Sequence, residues 1–342
     1  MNFLTFDIES CTGNPLDGSL CSFGYILSKE GVTVDSGDIL CNPLPERFTL
    51  GSFGKAASLK LAYPPAHFRR QPRFNARYRE IKALFDSADM VLGFAVQNDL
   101  KYVNNACDKF SLPRIGFKFL DVQLLAGFIL PELKGHGLKA FADHFNITFI
   151  EHRSDEDARV TFEVFTRVLE LSGMSLEGLM QRFGIVCGVN GQEGHVNCYA
   201  EAIIDERLQA GSRSTLKLLT HYYANNAARF VEKRGDRLAG KGVSISEGLY
   251  VKDKLSARRI ACTVAAEGGT YDSSIISCNV FVVGEGDKLG GRVKKLNPNC
   301  RIMSMAEFSD LCGGLVDFEF DDKQILREHY TALVSDREEN KI

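Results

Sequence analysis

The sequence has no large excess of charge of either sign and no long apolar run. Its 342 residues include 41 Lys and Arg against 44 Asp and Glu, which gives a formal net charge of −3. Without a global basic field, any contact with nucleic acid has to come from local patches. A membrane-spanning helix needs about 18 or more consecutive apolar residues, and no stretch of the chain approaches that length. We therefore expect no membrane partner.

Signal-peptide and paired-cysteine patterns are also missing. The first residues, MNFLTFDIES, lack a basic segment followed by an apolar run, which argues against a secretory signal and favours a cytoplasmic location. The ten cysteines are scattered and form no CxxC pair. In a chain without a leader this distribution predicts reduced, mostly buried thiols rather than disulfides or a zinc site.

The order of apolar runs predicts an α/β fold in more than one domain. Three early runs with β character, at 3–8, 20–27 and 32–40, indicate an antiparallel meander, and strands then alternate with helices. This pattern predicts a mixed sheet. We expect four segments: a first domain at 1–172, a partly helical connector at 173–235, a second α/β domain at 236–314 and an acidic tail at 315–342.

Four carboxylates and one histidine stand out along the first domain. Asp7 and Glu9 lie two apart in a strand, so both point to one face, where a divalent cation can compensate their charge. Asp99 follows the strand MVLGF near the start of a helix. Taken alone, Asp7 and Glu9 are better explained as an exposed strand end, and Asp99 as an acid at a helix N-terminus.

The third acidic motif opens the helix that runs to Ser172. His152 lies just before this helix and Asp157 lies on its first turn, although Ser154 or Asp155 could also be a simple N-cap. The spacing lets the Asp157 carboxylate bind a metal while the imidazole of His152 reaches the same place. A histidine titrates near neutral pH and can take a proton from water.

The order of these motifs resembles the DEDDh 3′–5′ exonucleases, the family of the DNA polymerase III proofreading subunit. The matching segments are FDIES (6–10), VLGFAVQNDLKYV (91–103) and EHRSDEDARVTFEVF (151–165). The resemblance covers roughly residues 1–172 and implies an RNase H-like fold. It also implies two divalent cations, with Asp7, Glu9 and Asp157 on one of them and Asp7 bridging to the second.

In this resemblance Asp99 helps to hold the second cation through water, and His152 deprotonates the attacking water. A site made only of oxygen ligands suits Mg²⁺ or Mn²⁺. One segment departs from the family, whose middle motif usually reads G-H-N-x-x-F-D. Here Phe94 and Ala95 replace the His-Asn pair and Asn98 replaces the Phe, while the acid, Asp99, is retained.

A basic and aromatic segment, HFRRQPRFNARYREIK (67–82), precedes the second motif. Cations for phosphates and rings for bases are what a single-strand channel needs. The candidate contacts to nucleic acid are Arg69, Arg70, Arg73 and Arg77, and the same segment contains the rings of Phe68, Phe74 and Tyr78. The other interpretation is a helix whose aromatics face the core and whose arginines face solvent.

Residues 238–308 resemble a BRCT domain. The features are the Gly240-Lys241 opening, a strand that ends in Ser246-Glu247-Gly248, the pair Gly268-Gly269 and the strand VFVVGEG. The late Trp common in that family is absent, and Phe308 stands near its place. The resemblance offers Ser246, Gly248 and Lys295 as ligands for a phosphate of a phosphopeptide or a DNA end. Docking of a protein without phosphate is the alternative.

These patterns together predict a metal-dependent exonuclease that acts on single-stranded or frayed DNA 3′ ends. Its BRCT domain would target it to DNA replication or repair through a protein or DNA-end partner. A 3′–5′ exoribonuclease using the same site is the alternative within the enzyme class. A non-catalytic nucleic-acid-binding scaffold is the alternative outside it, which the presence of all five functional positions disfavours.

Overall fold

The computed structural model describes residues 1–12, 20–48, 61–284, 286–287 and 289–334. It divides into two compact units. The first holds Met1–Ala202 together with the C-terminal residues from Tyr330, and the second holds Ile203–His329. The four segment boundaries drawn from the sequence stay a prediction.

The first unit combines a large sheet with helices. Its strands are β1 (Asn2–Ser10), β2 (Leu20–Lys29), β3 (Val32–Leu40), β4 (Met90–Gly93), β5 (Phe117–Asp121), β6 (Ile185–Val186), β7 (Gly188–Gly191), β8 (Gly194–Val196) and β9 (Tyr199–Ala200). Its helices are α1 (Pro65–Phe68), α2 (Phe74–Asp86), α3 (Gln97–Lys109), α4 (Val122–Ile129), α5 (Leu138–His144), α6 (Ser154–Ser172) and α7 (Leu176–Phe183). Helix α8 (Glu201–Ala210) follows at the border between the two units.

Seven strands of the described chain form one mixed sheet in the order β3-β2-β1-β4-β5-β7-β8. Strands β1, β2 and β3 pair antiparallel, whereas β4 and β5 run parallel to β1. Strand β7 pairs antiparallel with β5, so the sheet continues past residue 172. The predicted meander and mixed α/β fold are confirmed.

Strand β1 buries its two faces against different helices. Alternate residues point to opposite faces of a strand, and the Phe6 ring lies 5.3 Å from the Phe85 ring of α2. On the other face the Phe3 ring lies 5.2 Å from the Phe165 ring of α6. Asp7 and Glu9 share the odd-numbered face with Phe3, so the alternation turns both carboxylates toward α6.

The segment GIVCGVNG, whose strand character the sequence leaves open, supplies β6 and β7. Strand β7 lies closely on β5, because a Cβ on Gly188 would stand 2.1 Å from the Phe119 ring. The Asn190 amide exchanges hydrogen bonds of 2.9 and 3.0 Å with the buried Asn104 amide. It also donates to the Ile115 carbonyl. These contacts anchor β7 in the first unit.

The second unit contains a parallel sheet covered by helices. Its strands are β10 (Gly242–Ile245), β11 (Thr270–Tyr271), β12 (Val280–Val283) and β13 (Arg301–Ser304), in the order β11-β10-β12-β13. Its helices are α9 (Arg213–Asn225), α10 (Glu247–Lys252), α11 (Lys254–Ala266), α12 (Leu289–Leu296), α13 (Met305–Cys312) and α14 (Asp322–Thr331). The strands are all parallel to their neighbours, and the core includes Val243, Val282 and Phe308.

All ten cysteines are free, and eight of them are buried. Among the described residues, the helices are all too short or too polar to cross a membrane.

Candidate active site

Three carboxylates converge where β1 meets the first turn of α6. One oxygen atom from each of Asp7, Glu9 and Asp157 lies within 4.8 Å of the other two. Two of the side chains come from one strand, and the third comes from a helix about 150 residues further along the chain. The fold therefore brings together three of the four acids that the motif order singles out.

A glycine allows this convergence. Gly24 on β2 pairs with Asp7 in register, and the start of α6 lies directly over it. A Cβ on Gly24 would stand 1.9 Å from the carbonyl carbon of Ser154, which is closer than any packed atoms can be. Because this position has no side chain, the first turn of α6 reaches the sheet and presents Asp157 to Asp7 and Glu9.

Asp99 lies in the first turn of α3, directly after β4. Burial is the largest cause of a raised pKa at Asp7, and the charge of Asp99 is the next largest, ahead of those of Asp157 and Glu9. The pKa of Asp99 is raised in turn by burial and then by Glu9. The fourth predicted acid thus belongs to the same electrostatic cluster.

Burial and mutual repulsion make ionisation of this cluster costly. Burial, followed by the charge of Asp157, raises the pKa of Glu9 from its usual 4.5 to about 8. Burial raises the pKa of Asp157 to about 7, although the hydrogen bond from the His152 backbone opposes the rise. Such a group of acids needs either protons or cations nearby. The donor set is all oxygen, so it fits the Mg²⁺ or Mn²⁺ that the sequence predicts.

His152 lies on the loop just before α6 with a left-handed backbone, at a φ of 64°. Its backbone N–H donates a 3.1 Å hydrogen bond to Oδ2 of Asp157, and its side chain is exposed. The loop is therefore tied to a predicted metal ligand through the main chain, while the imidazole is open to solvent. The N-cap of α6 is Arg153, and no side chain caps the helix. The alternative that Ser154 or Asp155 is only the N-cap residue is therefore wrong.

Two further acids, Asp121 and Asp38, lie at the site and are not among the residues predicted from the sequence. Asp121 ends β5, caps α4 through the Gln123 N–H and accepts a 3.0 Å bond from the Ala95 N–H. Burial raises its pKa to about 6. Asp38 on β3 adds its charge to both Asp7 and Glu9. An acid that closes a buried strand, as in FLDV, is the signal that could have found Asp121.

The altered middle motif has its own packing. The Phe94 ring meets the buried Phe141 ring edge-on, with 5.9 Å between centroids. Ala95 adopts a φ of 50°, and its N–H is the one bound by Asp121. Asn98 is exposed. The substituted residues therefore form an aromatic contact and a tight turn beside Asp99.

The basic and aromatic segment is only partly as predicted. Phe68, Phe74 and Tyr78 are only 1%, 2% and 9% exposed, so the interpretation of these rings as a stacking surface for bases is wrong. These apolar rings are buried on the faces of α1 and α2 that pack against the core. The predicted arginine contacts lie outside: Arg69, Arg70 and Arg73 are exposed and Arg77 is half-buried.

Acidic residues accompany most of these arginines. Glu46 lies 3.8 Å from Arg69 and 3.9 Å from Arg73, and Glu80 lies 3.1 Å from Arg77. Exposed ion pairs of this kind contribute little stability. They nevertheless reduce the positive potential that a phosphate backbone would meet.

The three candidate phosphate ligands of the second unit do not line one pocket. The Ser246 hydroxyl is buried and accepts hydrogen bonds from the N–H groups of Leu249 and Gly284. Gly248 lines a cavity of about 700 Å³, where a Cβ would stand 2.6 Å from a carboxylate oxygen of Asp287. Lys295 is exposed on α12 and is not among the described residues that line this cavity.

Known proteins match the first unit. An exonuclease family, RNase_T, matches residues 57–165, which include Asp99, His152 and Asp157. This part of the first unit is an exonuclease-type domain by its match to that family. The DNA polymerase III subunit epsilon of Aquifex aeolicus (strain VF5) is 34% identical over 91 residues, which make up 25% of this chain and 43% of that protein. The chain thus spans less than half the length of this curated relative.

Solved structures with lower identity also match. Exonuclease X in complex with 5′-overhanging duplex DNA is 14% identical, with a TM-score of 0.39, over 53% of this chain and 97% of that chain. A 3′-exonuclease that recognises the histone mRNA stem-loop is 13% identical, with a TM-score of 0.39, over 49% and 81%. The match of the exonuclease domain to its family, rather than these structures, carries the assignment.

Proposed function

We propose that the exonuclease domain is a DEDDh-type 3′–5′ exonuclease with an RNase H-like fold that hydrolyses phosphodiester bonds at DNA 3′ ends. The observation that carries this proposal is the convergence of Asp7, Glu9 and Asp157 within 4.8 Å. The match of the surrounding chain to an exonuclease family supports it. DNA is the favoured polymer because the curated relative is a subunit of a DNA polymerase.

The four acids would bind the cations, and His152 would accept a proton. Asp7, Glu9 and Asp157 would hold Mg²⁺ or Mn²⁺ directly, and Asp99 would hold a second ion through water. Two such cations stabilise the attacking and the leaving oxygen of a phosphodiester. His152 lies next to this cluster on an exposed loop, where its imidazole can accept a proton from the attacking water.

We further propose that the second unit is a BRCT-like domain that directs the enzyme to a replication or repair complex in the cytoplasm. Its parallel sheet and alternating helices support the resemblance, and so does the Gly268-Gly269 turn. Gly268 has a φ of 74°, and a Cβ on Gly269 would stand 2.9 Å from the Leu238 side chain. The buried Ser246 hydroxyl favours docking of a protein over capture of a phosphate by Ser246, Gly248 and Lys295.

Cleavage of end-labelled oligonucleotides tests the activity. A single-stranded DNA and an RNA of equal sequence, each labelled at the 5′ end, are incubated with Mn²⁺ and either the wild-type chain or Asp7→Ala. We expect a ladder of shortened, still labelled DNA with the wild type and at least a 100-fold lower rate with the variant.

Asp35→Ala serves as the matched control, because Asp35 is an exposed acid on β3 outside the cluster. It should cleave like the wild type. Intact DNA with the wild type, or full activity in Asp7→Ala, would rule out the proposal. Shortening of RNA alone would move the assignment to an exoribonuclease.

A further inference from the structure

Asp38 lies beside the acid cluster without belonging to the predicted set of ligands. It is on β3 and pairs in register with Gly24, which pairs in turn with Asp7. Register partners in an antiparallel sheet point to the same face. Asp38 therefore shares the face of the sheet that carries Asp7 and Glu9 and is covered by α6.

Two serine hydroxyls hold the Asp38 carboxylate. Ser22 donates a 2.5 Å hydrogen bond to Oδ1 of Asp38. The Ser154 hydroxyl lies 2.6 Å from the Ser22 hydroxyl and 3.2 Å from the same Asp38 oxygen, so its one proton reaches Asp38 either through Ser22 or directly. Ser154 is fully buried and Ser22 nearly so. Hydrogen bonds to an ionised acceptor in such a place are stronger than those between neutral groups.

This network joins two strands next to β1 in the sheet, β2 and β3, to the start of α6. Ser22 on β2 is the register partner of Glu9, and Asp38 is on β3. Ser154 is the first residue of α6, three residues before Asp157, and its hydroxyl does not cap the helix. The network therefore connects the strand next to Glu9 with the helix turn that carries Asp157.

We propose that Asp38, held by Ser22 and Ser154, is a positioning residue that fixes the first turn of α6 on the sheet and so sets the place of Asp157 beside Asp7 and Glu9. This inference rests on the proposed metal-dependent activity. When no cation is bound, those carboxylates of the cluster that are ionised repel one another, which pushes α6 away from β1. The Ser22–Asp38–Ser154 network opposes that separation and holds the ligands ready for the cation.

Binding of Mn²⁺ to the full chain tests the proposal. Titration calorimetry with MnCl₂ is run on the wild type, Asp38→Asn, Ser22→Ala and Ser154→Ala, with Asp35→Asn as the matched control on the same strand. Loss of groups that orient metal ligands typically weakens binding about 10- to 100-fold. We expect a loss in this range for the three network variants, an unchanged number of bound ions and no change for Asp35→Asn.

Two further readouts separate positioning from general stability. Cleavage of single-stranded DNA by the network variants should need about tenfold more Mn²⁺ for half-maximal rate and recover near wild-type rate at saturation. The Ser154→Ala/Asp38→Asn double variant should bind Mn²⁺ no more weakly than either single variant, since both changes break one network. If Asp38→Asn does not fold, the two serine variants, which add no bulk, decide the outcome.

The results distinguish this inference from the proposed function. A wild type that neither binds Mn²⁺ nor cleaves overturns both. An active wild type with Mn²⁺ affinity unchanged in all three network variants overturns the positioning role alone. Loss of one bound ion in Asp38→Asn, without a weaker affinity for the rest, overturns it as well, because Asp38 would then be a ligand.

Discussion

Glu9 and Asp157 illustrate what the fold does to individual acids. Both carboxyl groups are surrounded by protein and by other acids, and their pKa values rise to about 8 and about 7. An acid with a raised pKa favours its protonated form in the folded state. The folded protein therefore holds protons at this site near neutral pH unless a cation displaces them.

We expect the metal-free protein to lose stability as the pH rises. The folded pKa of Glu9 lies above its unfolded value of 4.5, so its contribution is fully present below pH 4.5 and is lost as the pH rises through about 8. Thermal denaturation in EDTA should therefore show a melting temperature that falls across this window. Glu9→Gln should show a shallower fall, and an equally steep one would contradict this assignment.

Metal affinity should change in the opposite direction. A cation at Glu9 and Asp157 has to displace their protons, so binding of Mg²⁺ should tighten between about pH 6 and pH 8. Calorimetry in two buffers with different ionisation enthalpies measures the protons released. An affinity that is flat over this range, with no proton release, would mean that these carboxylates are not ligands.

The four acids that form sequence motifs can be predicted from the sequence, whereas Asp38, which lies beside them in the fold, cannot. Asp7, Glu9, Asp99 and Asp157 are recognisable because their order along the chain matches a family. Asp38 is one acid in an exposed-looking strand, VTVDSGDIL, and its role depends on pairing with Gly24 and on contact with Ser154. Both contacts join residues that are distant in the sequence, so no local pattern reveals them.

At the scale of the elements, the close approach of α6 to β2 controls the site. Gly24→Ala would place a Cβ 1.9 Å from the Ser154 backbone, and backbone cannot move aside cheaply. We expect a loss of about 3 kcal/mol in the free energy of unfolding, together with weaker metal binding. Chemical denaturation measures the first effect and Mn²⁺ titration the second.

Gly127→Ala is the matched control, because Gly127 lies inside α4 and a Cβ there meets nothing within 4 Å. Alanine favours a helix over glycine by up to about 1 kcal/mol, so this variant should be as stable as the wild type or more so. A Gly24→Ala variant as stable as Gly127→Ala would mean that α6 can shift without cost.

Patterns along the chain locate most helices and strands, but they do not show which face of each element packs against the core. Strand β4 and helix α3 follow from an apolar run and from helical spacing, and both appear where the sequence predicts them. The segment around α2 is harder, because its arginines and aromatics fit either a nucleic-acid surface or an amphipathic helix. Only the packing of the rings of Phe74 and Tyr78 in the core decides between the two.

At the scale of the whole molecule, the sheet of the first unit includes strands that follow residue 172, where we expect the first domain to end. A fragment of residues 1–172 lacks β7 and with it both hydrogen bonds between the Asn104 and Asn190 amides. Each lost hydrogen bond reduces stability by about 0.5–1.5 kcal/mol, and the uncovered edge of β5 favours aggregation. We expect this fragment to melt at a lower temperature and to aggregate more than residues 1–202.

Side-by-side melting and gel filtration of the two fragments measure the difference. Both fragments lack the contact between His195 and Val334, so this contact cannot account for the result. Equal stability of the two would show that β7 and β8 are dispensable.

The concentration of acids around Asp7 also has a kinetic consequence. A nucleic-acid strand carries a negative charge on every phosphate, and above about pH 8, where Glu9 and Asp157 have lost their protons, the bare cluster would repel the scissile phosphate at short range. Cation and nucleic acid should therefore assemble on this domain in a compulsory order, with the cation first. At such a pH, magnesium starvation would leave the proposed enzyme unable to engage its polymer, before any bond-breaking step is reached.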